Sequence, residues 1–175
     1  TSALDDISKA INLNPRMAGL WVDRGNLRWA MLRIKIKNHE DPIPLIRQAM
    51  DDFEESVKRI PTLAEPWCWR ADLASLLARQ PSERPNANDL FKQALEGFDR
   101  ALQLNPQLGP AYHGRAHALG RFRRYHEALK DLEQALKLLP QDQSELERDI
   151  ENCKRALERQ ERKDSDPHED PPSED

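Results

Sequence analysis

Gly109–Pro140 reads GPAYHGRAHALGRFRRYHEALKDLEQALKLLP, and this stretch decides the fold. Its first half sets Tyr112, Ala116 and Leu119 on one helical face. Its second half sets Ala128, Leu129, Leu132, Ala135, Leu136 and Leu138 on another. Spacings of three and four predict two amphipathic helices joined by a tight turn. Pro140 ends the second helix, because proline has no N–H to donate and its ring clashes with the preceding turn. A helix pair this small cannot cover its own apolar stripe and needs a neighbour like itself.

The rest of the chain supplies such neighbours. ALDDISKAINLNP (3–15), AMDDFEESVKRIP (49–61), ALEGFDRALQLNP (94–106) and ALKDLEQALKLLP (128–140) are copies in register. Each starts with Ala and carries a bulky apolar residue four later: Ile7, Phe53, Phe98, Leu132. A small residue follows three positions on (Ala10, Ser56, Ala101, Ala135), and a proline closes the unit. Small residues let a second helix approach, and the bulky one fills the space between. Six residues after each of the first three prolines stands an aromatic: Trp21, Trp67, Tyr112. Three further on come Arg24-Gly25, Arg70-Ala71 and Arg115-Ala116.

These residues resemble tetratricopeptide (TPR) repeats, whose pattern is W-x2-L-G-x2-Y, then A-x3-F, then P. The resemblance runs from Ala3 to Pro140. It departs from the pattern at Arg24, Arg70 and Arg115, where the family has Leu, and at Arg28, Ala74 and Leu119, where it has the second aromatic. The closing prolines are 46, 45 and 34 apart, so two intervals exceed the family's 34. The excess falls within hairpins. One first helix runs on through AMLRIKIK (30–37) before a turn at NHEDPIP (38–44); the other turn is ARQPSERPNAND (78–89). Asp41 and Asn88 are the expected N-caps.

Three regions are expected: repeats over 1–142, a capping helix over 143–163, and a disordered acidic tail over 164–175. Ser144-x-x-Glu147 reads as a capping box opening a helix with Leu146, Ile150, Cys153 and Leu157 in line. The first repeat has only its second helix. Its stripe of Leu4, Ile7, Ile11 and Leu13 is expected to lie open, inviting a preceding helix or self-association.

Charge narrows the function. Of the 175 residues 33% are charged, with a formal net charge of −4. The last 12 hold six of the 31 acidic side chains, so 25 remain against 27 Lys and Arg. A near-neutral body disfavours nucleic acid as the ligand. Cys68 and Cys153, 85 positions apart, form no metal spacing and fit a reducing compartment. With no apolar run long enough to span a membrane and no signal peptide, a cytoplasmic location is expected. The chain opens without an initiator methionine, as a processed or cloned start would.

No Ser/His/Asp arrangement, glycine-rich phosphate loop or carboxylate pair stands out, so neither enzyme activity nor a cofactor is expected. His113 and His117 are one helical turn apart, a spacing that suits a metal. The sequence offers no third ligand, so they are read as surface or groove histidines. Cys68 is read as a packed residue. Arg121, Arg123 and Arg124 form a basic turn that either holds an anion or is simply solvated. The recurrent arginines either pair with Asp6, Asp52 and Asp131 of the second helices or face a ligand. Gly97 breaks the pairing in one repeat.

The resemblance implies an all-α, TPR-type solenoid, a right-handed superhelix whose first helices line a concave groove that holds peptides. Matched from each aromatic, the groove presents Val22, Asp23, Asn26 and Trp29, then Cys68, Trp69, Asp72 and Leu76, then His113, Gly114, His117 and Arg121. Trp29 and Trp69 are its expected apolar anchors, or else pack on the lengthened helices. One family subset clamps chaperone C-termini with Lys, Asn and basic residues at set places. Those places hold Val22, Asn26, Trp69, Pro110 and Gly114 here. Only Asn26 fits, so that ligand is not expected. The function implied is a protein-interaction scaffold binding a peptide or helix of a partner. The alternative is a regulatory arm of a larger enzyme such as a signalling kinase.

Overall fold

The computed structural model describes residues 2–165, which form eight α-helices and no strand. In order they are α1 (Ala3–Leu13), α2 (Ala18–Lys37), α3 (Ile43–Arg59), α4 (Ala64–Ala78), α5 (Ala87–Leu104), α6 (Gly109–Arg121), α7 (Tyr125–Leu138) and α8 (Gln143–Ser165). Each helix packs on the next, so α2–α3, α4–α5 and α6–α7 are stacked hairpins between α1 and α8. No helix among the described residues is long and apolar enough to cross a membrane.

The repeated positions fill the core. Phe53 and Phe98 have no exposed surface, nor do Ser56, Ala101 and Ala135, and Leu132 is buried. At α1 the stripe is only partly open, which corrects the expectation for it. Ile11 is buried beneath α2 and Leu4 and Ile7 are half-buried, leaving Leu13 exposed. Ser2 and Asp5 close a capping box at the start of α1.

The six-residue spacing from proline to aromatic has a direct cause. The indole N–H of Trp21 donates to the Pro15 carbonyl at 3.0 Å, and that of Trp67 to the Pro61 carbonyl at 3.2 Å. Each indole thus satisfies a carbonyl freed where a helix ends. The arginine one turn on stacks over the aromatic: Arg24 on Trp21, Arg70 on Trp67, Arg115 on Tyr112, at 4.9, 4.9 and 5.6 Å from the ring centre. Each also reaches a residue 16 earlier in the chain: Ser8, Glu54 and Asp99.

Two of these arginines then bond the acid of the following helix. Arg24 donates to Asp52 at 3.0 and 2.7 Å, and Arg115 to Asp131 at 2.7 and 2.8 Å. Arg70 lacks that partner for a steric reason. A Cβ at Gly97 would sit 2.9 Å from the Ala71 Cβ, so α5 lies too close to α4 for any side chain there. The arginines are therefore mortar within the stack and do not form a ladder facing a ligand.

Helix ends depart from the sequence expectation in four places. Asp41 accepts from the Ile43 N–H at 3.0 Å, but Pro42 stands at the N-cap and no side chain caps α3. Asn88 does not cap α5, because a 3-10 turn over Pro81–Asn86 winds into Ala87 and starts the helix early. That long turn is packed: Glu83 is buried and bonded to Arg47 of α3 at 2.6 Å. Likewise a 3-10 turn over Pro140–Asp142 feeds α8 at Gln143, so Ser144 lies inside the first turn and no capping box opens the helix. At its far end α8 continues two residues beyond 163, where the Ser165 hydroxyl donates to the Glu161 carbonyl at 2.7 Å. The tail expected from 164 thus begins inside the helix, and residues 166–175 lie outside the described residues.

Candidate peptide-binding groove

The first helices of the three hairpins present one shared face. Asn26, Trp29, Ala30, Arg33 and Ile34 of α2, Trp69 and Asp72 of α4, and Pro110 of α6 line a cleft of about 740 Å³. A second cleft of about 360 Å³ continues along the same face, lined by Trp29, Asp72, Leu76, Arg79, Pro110, His113, Gly114 and His117 among others. Trp29, Asp72 and Pro110 border both. Eight of the twelve residues matched to the groove from sequence, namely Asn26, Trp29, Trp69, Asp72, Leu76, His113, Gly114 and His117, line these clefts. Val22, Asp23, Cys68 and Arg121 do not. Asp23 is exposed away from both clefts, and Arg121 lays its guanidinium over Phe91 at 5.3 Å.

Both tryptophans are half-buried and rest on the core. Trp69 meets Phe53 with ring centres 5.4 Å apart and planes tilted by 43°. Each thus combines core packing with a face left to the cleft. The lengthened end of α2 adds Ile34, 62% exposed, as an apolar wall. Sequence matching missed Ile34 because it lies in the extension, beyond the family pattern. It also missed Arg33 and Arg79, which line the two clefts with positive charge.

Asp72 is the most perturbed group on this face. Burial pushes its carboxyl up to about 7, with Arg79 and the Cys68 thiol opposing. Gly114 makes room for it: a Cβ there would lie 2.7 Å from Oδ1. A raised carboxyl pKa means the folded state holds a proton that the unfolded chain has released. Stability is therefore full below the unfolded value near 4 and declines as pH rises towards 7. Asp72→Asn removes that cost. Asp72 is half-buried rather than fully enclosed, so relative to the parent the variant should gain about 1–3 kcal/mol between pH 4 and pH 8. Urea unfolding at the two pH values measures this, and an equal difference at both would contradict it.

Burial disfavours the thiolate at both cysteines. Cys68 is buried, and burial followed by the charges of Asp72 and Glu65 holds its thiol far above the usual range. Burial also raises the thiol of Cys153. The three arginines of the basic turn do not converge on one another. Arg124 is held by Glu127 at 2.7 and 2.6 Å, Arg121 covers Phe91, and Arg123 lines a separate pocket with Arg159, Arg162 and Lys163 of α8.

The histidines gain a third neighbour that the sequence reading lacked. Asp149 of α8 brings Oδ2 to 2.9 Å from His113 Nε2 and 3.2 Å from His117 Nε2. The two Nε2 atoms are 3.0 Å apart. Burial, then the neighbouring His113, lowers the His117 pKa, so its ring is neutral near pH 7. Asp149 was hidden among the many charges of α8, and its helical position alone did not show that it faces α6.

The fold is a TPR-type helical-hairpin solenoid. Neither a family model nor a curated protein matches the chain. Solved structures do. The first TPR domain of human RPAP3 superposes with a TM-score of 0.64 at 22% identity, covering 85% of this chain and 98% of that one. A thermophilic TPR protein of Thermus thermophilus, TTC0263, gives 0.62 at 21%, covering 95% and 83%. The first TPR of Spaghetti (RPAP3), bound to the HSP90 peptide SRMEEVD, gives 0.56 at 20%, covering 77% and 96%.

Proposed function

We propose that this chain is a non-catalytic interaction scaffold that takes a peptide or helix of a partner protein along the paired clefts. The observation that carries this reading is the cleft of about 740 Å³ shared by all three first helices, with Trp29, Trp69 and Ile34 as apolar walls beside Asn26, Arg33 and Asp72. Half-buried tryptophans on a rigid base are efficient anchors, since they bury large area at little conformational cost. Ligand chemistry follows from the lining. An apolar side chain sits between the indoles, and Asn26 and Asp72 bond the partner's polar groups. The Spaghetti domain holds an HSP90 peptide. Here Val22, Trp69, Pro110 and Gly114 stand where a two-carboxylate clamp needs Lys, Asn and basic groups, which argues for a different peptide class. A second copy docking on α1 finds little support, because α2 already covers Ile11.

Peptides selected from a displayed random library on the parent chain test this. They should bind Asn26→Arg and Ile34→Asp at least about tenfold more weakly. Both positions are exposed, so circular dichroism should be unchanged. Selected peptides that bind parent and variants alike would overturn the reading.

A further inference from the structure

The geometry points to a divalent transition-metal site, of zinc-binding type, formed by His113, His117 and Asp149 where α6 meets α8. It is independent of the peptide-binding reading. The three donor atoms form a triangle with edges of 2.9, 3.0 and 3.2 Å. Hydrogen bonds alone satisfy such a triangle poorly. A proton aimed along one edge points about 60° away from the next, and hydrogen bonds weaken steeply at such angles. A single ion satisfies all three lone pairs at once. Two donors each about 2.0–2.1 Å from a tetrahedral ion stand roughly 3.3 Å apart, so the triangle needs to open by only a few tenths of an ångström.

The donor set selects the metal. Two imidazoles and one carboxylate suit zinc and its neighbours, whereas calcium and magnesium want oxygen alone. The spacing of four on α6 puts both rings on one face, tilted at 46° with centres 4.7 Å apart. Asp149 and His113 are 14% and 20% exposed at the side chain, His117 42%, so the site is sheltered on one side and open on the other. Neighbouring charge is mixed. Arg148 approaches the other Asp149 oxygen at 3.9 Å and Arg79 disfavours a cation, while Glu145 favours one. The ion would tie the capping helix to the last full repeat at the border of the second cleft.

The test uses the full chain, stripped with a chelator and dialysed against zinc chloride, with bound zinc read by elemental analysis. One zinc per chain at roughly micromolar free zinc is expected, with a rise in Tm. His117→Ala, which alters a solvent-facing side chain, and Asp149→Asn should each weaken binding at least about tenfold and abolish the rise in Tm. His126→Ala, at an exposed histidine elsewhere, should bind as the parent does. No stoichiometric zinc in the parent, or unchanged binding in both ligand variants, would overturn the site.

Discussion

Asp52→Ala is expected to lower the unfolding free energy by about 3–5 kcal/mol, a fall in Tm on the order of 10 °C for a chain of this size. Asp52 is 1% exposed. One oxygen accepts two bonds from Arg24 and the other is bonded by Arg28. Both guanidinium groups are only 14% exposed at the side chain. Removing the carboxylate strands two sheltered cations, and breaking a buried pair on one side costs far more than the pair's net worth. Asp131→Ala is the internal comparison. Arg115 is 24% exposed and keeps Asp99 at 2.7 Å, so that loss should be nearer 1–2 kcal/mol. Urea unfolding of both variants decides the matter. Equal losses, or a loss under about 1 kcal/mol at Asp52, would mean the arginines are not mortar.

Gly114→Ala is expected to destabilise by about 2–3 kcal/mol, although alanine is the better helix former by about 1 kcal/mol. The added methyl would stand 2.6 Å from Phe98 Cε1 and 2.7 Å from Asp72 Oδ1. Phe98 has no exposed surface and no room to retreat. Overpacking therefore wins over propensity, and α6 must lift from the floor of the second cleft. Phe98→Leu in the same chain should relieve the clash, giving a coupling energy above about 1 kcal/mol in a double-mutant cycle. A Gly114→Ala chain as stable as the parent would contradict the close approach on which the cleft depends.

Much of this was legible in the sequence because a repeat is a strong, redundant signal. The Phe53, Phe98 and Leu132 positions, their small partners and the proline stops report directly on packing. What escaped has local causes. The 3-10 turns at Pro81–Asn86 and Pro140–Asp142 take over helix starts that Asn88 and Ser144 were expected to cap. Gly97 showed that Arg70 must look elsewhere, but only the approach of α5 to Ala71 explains why. Within the groove, matching to a family pattern found residues on regular helical turns. It overreached at Val22, Asp23, Cys68 and Arg121, which line neither cleft, and missed Ile34 in the extension. Asp149 needed the tertiary fold, since nothing in α8 distinguishes it from its charged neighbours.

Groove binding is tested most directly by following the four indole N–H resonances during titration with a selected peptide. Trp21 and Trp67 spend theirs on the carbonyls of Pro15 and Pro61, while Trp29 and Trp69 line the cleft. The Trp29 and Trp69 signals should move with peptide concentration while the other two stay. Movement of Trp21 and Trp67 instead, or no movement at any indole with the peptide bound, would place the partner elsewhere on the stack.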